Sequence, residues 1–248
     1  MILLKSLQEI AKMEVANRIV AEVLEGVKEK IRPGVETREL DELAEEMCRR
    51  RQVEPAFKGY RGYPRSICVS VNEEVVHGIP GPRRLKAGDL VSLDFGVRYD
   101  GYHGDAAITV PVGEVTSRAW ALMEATEKSL YAGIAMVKVG NRLSDISHAV
   151  QRVVEGAGFG VIREFVGHGI GRSLHEDPQI PNFGPPGRGP KLQVGMTLAI
   201  EPMTSMGAWQ VRILPDGWTA VTQDGSYAAH FEHSVALTEN GVLILSRL

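Results

Sequence analysis

Two stretches of this chain, Leu85–Asp94 and Leu192–Glu201, align in register 107 positions apart, with leucine, glycine and a closing carboxylate at matching places. Upstream the correspondence continues with a one-residue slip: Arg32-Pro33-Gly34 stands before one amphipathic helix and Lys138-Val139-Gly140 before another. Each half therefore reads as helix, helix, then sheet, the trace of an internal duplication with halves of about 1–112 and 113–248 in a single domain. Two related half-domains enclose a cleft, and an acid at the same strand position of each half meets its counterpart there. Asp94 and Glu201 end the apolar runs Leu90-Val91-Ser92-Leu93 and Thr197-Leu198-Ala199-Ile200. Burying an ionised carboxylate is costly unless it is paired or bound to a cation.

The composition permits one large core. With 248 residues and 44% hydrophobic content, such a chain buries roughly 70–75% of its unfolded surface without external staples. A net charge of −3 does not suggest a polyanion partner. The one basic run, Arg49-Arg50-Arg51, closes a helix that begins with Glu39, Asp41 and Glu42, as the helix dipole favours. Two cysteines, Cys48 and Cys68, make no zinc knuckle, redox pair or disulfide framework and fit a reducing cytosol. The N-terminus lacks the layout of a signal peptide, and no stretch approaches the ~20 apolar residues of a membrane span.

Helical and strand blocks alternate. Ser6 with Glu9 makes a capping box ahead of Ile10, Met13, Val20, Val23, Leu24 and Val27 at helical spacing, until Pro33-Gly34 stops the pattern. Thr37 is the expected cap of a second helix, Thr116 or Ser117 of a third, and Ser144 of a fourth whose inner face carries Ile146, Ala149, Val150, Val153 and Val154. Strands are expected at Ile67–Val71, Val75–Ile79, Leu90–Tyr99, Tyr102–Val112, Val161–Val166, Thr197–Met203, Trp209–Leu214, Thr219–Gln223 and Ala228–Leu245, the last broken near Asn240-Gly241. The class is α+β, with helices backing a mostly antiparallel sheet. Glu176–Gln193, rich in proline and glycine, reads as a long irregular stretch of the kind that is functional or disordered.

The chemistry gathers on these strands. Asp100-Gly101 is a hairpin signal; if it is the turn, Asp94 lies opposite Ala107, and Asp105, two residues away, shares its face. The two acids become diagonal neighbours at ~7–8 Å or less, a span that one or two cations bridge. From the second half come His168 within Gly167-His168-Gly169-Ile170-Gly171, Glu201 before Pro202, and Glu232 between Phe231 and His233. Four carboxylates and one imidazole form a hard, oxygen-rich set suited to two divalent ions ~3.5–4 Å apart, which activate a water and polarise a carbonyl. Taken singly, each is more often a surface acid or a core histidine. Competing motifs fail: the glycines at 167, 169 and 171 lack the dinucleotide fingerprint, with Arg172 at the third site, and His175-Glu176 is followed by Gln179 where a zincin needs histidine. Cys68, inside Ile67-Cys68-Val69, reads as a buried, inert thiol.

These five residues in this order, together with Val76-His77-Gly78-Ile79-Pro80, Gly167-His168-Gly169-Ile170-Gly171 and Ala199-Ile200-Glu201-Pro202-Met203, resemble type I methionine aminopeptidases of the pita-bread fold, in their minimal bacterial form. The resemblance spans essentially the whole chain. It implies removal of the initiator methionine by metal-activated water attack on the first peptide bond, with two divalent ions (cobalt, manganese, iron, zinc or nickel) held by Asp94, Asp105, His168, Glu201 and Glu232. It further implies that Glu201 moves the proton, that His77 contacts the scissile nitrogen and that His175 steadies the oxyanion. Phe57, Tyr60, Tyr63, Cys68 and Trp218 match positions lining a methionine pocket, where aromatic edges suit sulfur contacts; Leu174 and Phe57 depart from the family's commoner residues. The implied partners are nascent chain N-termini at the ribosome, met in the cytoplasm by a monomer without nucleic-acid or membrane contact. Two other readings keep the fold: an Xaa-Pro peptidase, whose relatives usually carry an extra N-terminal domain, and a non-catalytic binding member, which would typically have lost ligands.

Overall fold

In the computed structural model, which describes residues 1–247, four helices back a curved antiparallel sheet. Helix α1 (Leu7–Lys30) starts at the expected capping box, Ser6 Oγ accepting from Glu9 N–H while Glu9 accepts from Ser6 N–H. Helix α3 (Ser117–Ala135) is capped by Thr116. The other two caps differ from expectation by one and two residues. Helix α2 (Thr37–Arg51) is capped at Glu36, because the Glu39 carboxylate takes the Glu36 N–H while Thr37 is drawn to the backbone of Gly81. Helix α4 (Leu143–Gly156) is capped at Arg142, whose N–H goes to Asp145, leaving Ser144 Oγ to accept from Arg188 N–H. Ala149 and Val153 are only half-buried; Leu143, Ile146, Ser147, Val150 and Val154 make the covered face.

The large sheet runs in the order Glu54–Pro55, Leu90–Tyr99, Tyr102–Pro111, Glu232–Thr238, Thr197–Ile200, Gly167–Gly169 and Glu176–Ile180; Ile67–Val71 also pairs with Leu90–Tyr99 and Gly241–Ile244 with Glu232–Thr238. Helices α1 and α2 cover the Leu90–Pro111 hairpin through Val20, Val23, Leu40 and Ala44 against Leu93, Phe95 and Val97. Helices α3 and α4 cover the strands of the other half through Leu122, Leu130 and Val150 against Leu198, Ile200 and Val235. The two halves repeat backbone detail. Gly34 and Gly140 have φ of 92° and 94°, values that glycine adopts without strain. Leu85 N–H donates to Val35 O, and Leu192 N–H to Asn141 O.

Several strands are shorter than expected, each for a visible reason. Thr197–Met203 breaks after Ile200, because Glu201 is followed by Pro202, which has no N–H for the ladder; Met203–Ser205 pairs elsewhere. Val75–Ile79 is reduced to Glu74–Val76 by His77, whose φ is 60°. Of Val161–Val166 only Val161 is strand, in the pair Gly160–Val161 that meets Ser205 and Thr204. Trp209–Leu214 and Thr219–Gln223 shrink to Val211–Ile213 and Ala220–Thr222, and the last block also breaks at Phe231. Conversely, Glu176–Ile180 is ordered strand beside Gly167–Gly169, so the irregular stretch begins only at Pro181.

Candidate functional site

The Asp100-Gly101 turn sets the hairpin register, placing Asp94 opposite Ala107 and Asp105 opposite Gly96. Ala107 in turn faces Glu232, so Asp94, Ala107 and Glu232 lie in one row across three strands. His168 sits opposite Ala199, two residues before Glu201. Backbone contacts fix these positions. Asn17 of α1 accepts the Asp105 N–H at 3.2 Å and donates to Met13 O, and Asn182 donates to Glu201 O at 3.0 Å. Gly78 N–H goes to Ser70 Oγ, and a Cβ at Gly78 would lie 2.3 Å from Val69 O. The glycine beside His77 thus permits a backbone approach no other residue allows.

Ligand atoms of Asp105, His168 and Glu232 lie within 4.8 Å of one another, and all three residues are buried. His168 Nε2 is 3.4 Å from Glu201 Oε1 and 3.9 Å from Asp105 Oδ2. With its Nδ1 against Gly169 O at 2.9 Å, the imidazole donates there and turns the Nε2 lone pair toward two carboxylates. Burial holds this ring neutral, its pKa lowered to about 4, so acceptor faces acceptor. Asp94 Oδ1, Asp105 Oδ1 and Glu232 Oε1 are buried without a hydrogen-bond partner among the described residues. Burial lifts Asp94 to about 7. Burial, then neighbouring carboxylates, lift Asp105, Glu201 and Glu232 well above the usual carboxylate range. Orphaned oxygens, one presented imidazole lone pair and mutual repulsion are what a hard divalent cation relieves; the donor set fits one or two such ions.

All twelve side chains singled out from the sequence line one cavity of about 130 Å³. Its acidic wall is the cluster just described. Its apolar wall is Phe57, Tyr60, Tyr63, Cys68 and Trp218, with Trp218 edge-on to Tyr63 at 5.2 Å between ring centroids. Cys68 is buried, its thiol pushed far up by desolvation and the Asp94 charge, which suits a lining group and not a nucleophile. His77 stands at right angles to Trp218 and Phe165 and is lowered to about 4 by burial. His175 is the most open of the three cavity histidines. Its Nδ1 meets Tyr60 Oη at 2.9 Å, leaving Nε2 for a ligand.

Arg61 and Val76 also line the cavity, and neither had a motif to mark it. His230 is the more consequential omission. It is 1% exposed, with Nε2 3.8 Å from Glu201 Oε2 and no hydrogen-bond partner for either ring nitrogen among the described residues. Its place two residues before Glu232 was the available signal.

The profile of metallopeptidase family M24 matches residues 11–239. Methionine aminopeptidase 1 of Bacillus subtilis (strain 168) is 54% identical over 248 residues, covering 100% of both chains, and the methionine aminopeptidase of Clostridium perfringens is 53% identical over 246 residues, covering 99% of each. The crystal structure of methionine aminopeptidase from Thermotoga maritima superposes with a TM-score of 0.98 at 52% identity, covering all of both chains. A prolidase from Pyrococcus furiosus shares the fold alone, with a TM-score of 0.81 at 23% identity, and this chain covers 65% of it.

Proposed function

This chain belongs to metallopeptidase family M24 and, within it, to the methionine aminopeptidases, and we propose that it removes N-terminal methionine through the roles assigned below. Asp94, Asp105, His168, Glu201 and Glu232 would hold the divalent ions, whose contribution when bound is Lewis-acid polarisation and a water acidic enough to attack at neutral pH. Cobalt, manganese, iron, zinc and nickel all suit an oxygen-rich set with one imidazole. The observation that carries the reading is the meeting of two walls: orphaned carboxylate oxygens beside the His168 Nε2 lone pair, facing an aromatic and thiol pocket.

The pocket takes an unbranched thioether side chain, with the edges of Tyr63 and Trp218 and the Cys68 sulfur around it. That seats the first peptide carbonyl toward the acids. Glu201, lifted well above the usual carboxylate range first by burial and then by the charges of Asp94 and Asp105, is suited to take a proton from the attacking water and pass it to the leaving nitrogen. His77, neutral at pH 7 because burial lowers it to about 4, offers an uncharged N–H near that nitrogen. With Tyr60 Oη donating to its Nδ1, His175 carries its proton on Nε2 and donates to the oxygen that gains charge.

The substrates in this reading are newly made chains near the ribosome in the cytosol, met by a monomer that binds neither nucleic acid nor membrane. The net charge of −3 and the two buried free cysteines support that setting; among the described residues no helix is long and apolar enough to cross a membrane. The Xaa-Pro reading has only shared fold behind it.

The test is release of free methionine from a Met-Ala-Ser peptide by metal-stripped protein before and after adding manganese or cobalt, with Asp105→Ala and an Xaa-Pro peptide in parallel. Metal-dependent release that Asp105→Ala loses, with the Xaa-Pro peptide intact, is the expected result. Release that survives Asp105→Ala overturns the assignment of that carboxylate.

A further inference from the structure

His175 presents a problem of precision. It is an exposed residue on the loop Gly171–His175, which leads into the strand Glu176–Ile180, yet its proposed task requires placement to a fraction of an ångström. The two flanking residues are its anchors. Leu174 is 2% exposed in the core beside Tyr63 and Cys68. On the other side the Glu176 side chain is buried against Lys5, and both side chains are under a tenth exposed. Lysine is rarely buried this fully, and here the ammonium is satisfied. It donates to Leu3 O at 3.1 Å and to Glu176 Oε2, while Ser173 N–H donates to Glu176 Oε1 at 3.1 Å.

The surroundings are shaped to admit this lysine. A Cβ at Gly171 would lie 2.4 Å from Lys5 Cε and 2.8 Å from Glu176 Oε1, so the buried pair packs directly over this glycine and a larger residue there would displace it. The Lys5 backbone is itself tied down, its N–H donating to Gly195 O at 2.7 Å in the turn before the strand that leads to Glu201. Gly171 N–H in turn donates to Ser173 O, and His103 N–H to Gly171 O. Two further contacts reach the loop from outside the sheet, Glu9 of α1 on Arg172 and Tyr60 on His175, but Lys5 is the one whose charge is buried against it.

We propose that Lys5 is a positioning residue of the aminopeptidase reaction: its buried pair with Glu176, where the Gly171–His175 loop enters the strand, fixes that loop and so sets the His175 ring against Tyr60 and the cavity. This rests on the role given to His175 above. Lys5 touches no reacting atom and acts only through Glu176. Loss of the ammonium frees a buried carboxylate to seek water, which pulls the residue next to His175 outward.

The test is Lys5→Met, which keeps the stem and removes the charge, with Lys5→Arg as the conservative partner. Two readouts are taken. One is the His175 ring nitrogens by long-range proton–nitrogen NMR in metal-free protein; the other is kcat and KM on Met-Ala-Ser with manganese, together with bound manganese. Lys5→Met is expected to shift or broaden the His175 signals, to lower kcat and kcat/KM together by roughly 10–100-fold, as a displacement near 1 Å does, and to leave manganese content unchanged. Lys5→Arg is expected to recover most of both. If Lys5→Met does not fold, Lys5→Met with Glu176→Gln removes both charges and is read the same way. An unmoved His175 ring overturns the positioning pair. A moved ring with unchanged kcat overturns the role of His175, and the proposal falls with it. Lost manganese with lost activity would mean general loosening and also overturns it.

Discussion

Replacing a proposed metal ligand is expected to stabilise the metal-free protein, and Asp94→Asn gives the expected size of the effect. Asp94 is 8% exposed, its Oδ1 has no hydrogen-bond partner among the described residues, and burial raises its carboxyl from 3.8 to about 7. At about 1.4 kcal/mol for each tenfold change, such a carboxyl resists ionisation in the fold by roughly 4 kcal/mol. In the unfolded chain it ionises near its ordinary value. The folded state then binds the extra proton, so stability falls as pH rises from about 4 and levels off above about 7. Asparagine removes this dependence. The stability gap between Asp94→Asn and the parent should therefore widen in favour of the variant by about 2–3 kcal/mol between pH 5 and pH 8, or roughly 5–10 °C in Tm for a chain of this size. Relief of the Asp94 charge on Glu201, Asp105 and Glu232 acts in the same direction. Thermal unfolding of chelator-treated parent and variant at both pH values measures the gap. The buried histidines respond to pH in both proteins and cancel in the difference. A gap that stays constant or narrows toward pH 8 refutes the reasoning. With manganese added, the order should reverse, because only the parent keeps its full ligand set.

Three further outcomes follow from the same geometry. Loading manganese into metal-free protein at pH 6 should release at least about one proton per chain, since the ion displaces protons from carboxyls held above their usual range; calorimetry in buffers of different ionisation enthalpy counts them, and none released contradicts the shifts. Gly104→Ala should lower stability by roughly 1–3 kcal/mol, because its Cβ would lie 2.7 Å from Asn17 N and 2.8 Å from Ala16 C, backbone that moves only with α1; the lost Asn17–Asp105 contact should appear as weaker manganese binding. Trp218→Ala, which removes the edge against Tyr63, should raise KM for Met-Ala-Ser about tenfold, corresponding to roughly 1–1.5 kcal/mol, with a smaller change in kcat; an unchanged KM removes Trp218 from the pocket.

How far the sequence could be read depended on the range of the interaction that decides each feature. The hairpin was legible to the residue at its turn and in its register, because Asp100-Gly101 is a local signal flanked by alternating strands, and Asp94 does lie opposite Ala107. The cap at Ser6 was legible for the same reason. Ser144 failed as a cap because its hydroxyl is taken by Arg188, 44 residues away, and Thr37 because Gly81, equally distant, takes its hydroxyl. The five ligand candidates were visible through their strand positions and order. Lys5 was not, since a lysine after a short apolar run resembles any surface lysine until Glu176 is brought to it across 171 residues. His230 was passed over because it fits no spaced motif; only its burial and its orphaned nitrogens distinguish it.

The hairpin and the strand beside it also set an order of assembly. Asp94 and Asp105 share a local turn that forms on its own timescale, and ten residue pairs hold the two arms together. The joint to Glu232–Thr238 has only two ladder pairs, reinforced by Thr109 bonding to the His230 backbone across 121 residues and by Ser234 Oγ on Asp105 O. Closing so long a loop is slow, and few contacts reward it at first. A chain emerging from synthesis thus displays half of its acidic cluster well before the remainder is made, and the repulsion among the assembled carboxylates falls on a joint of two ladder pairs. The residues that would hold the ions thus also make the closing of this joint sensitive to whether ions are at hand.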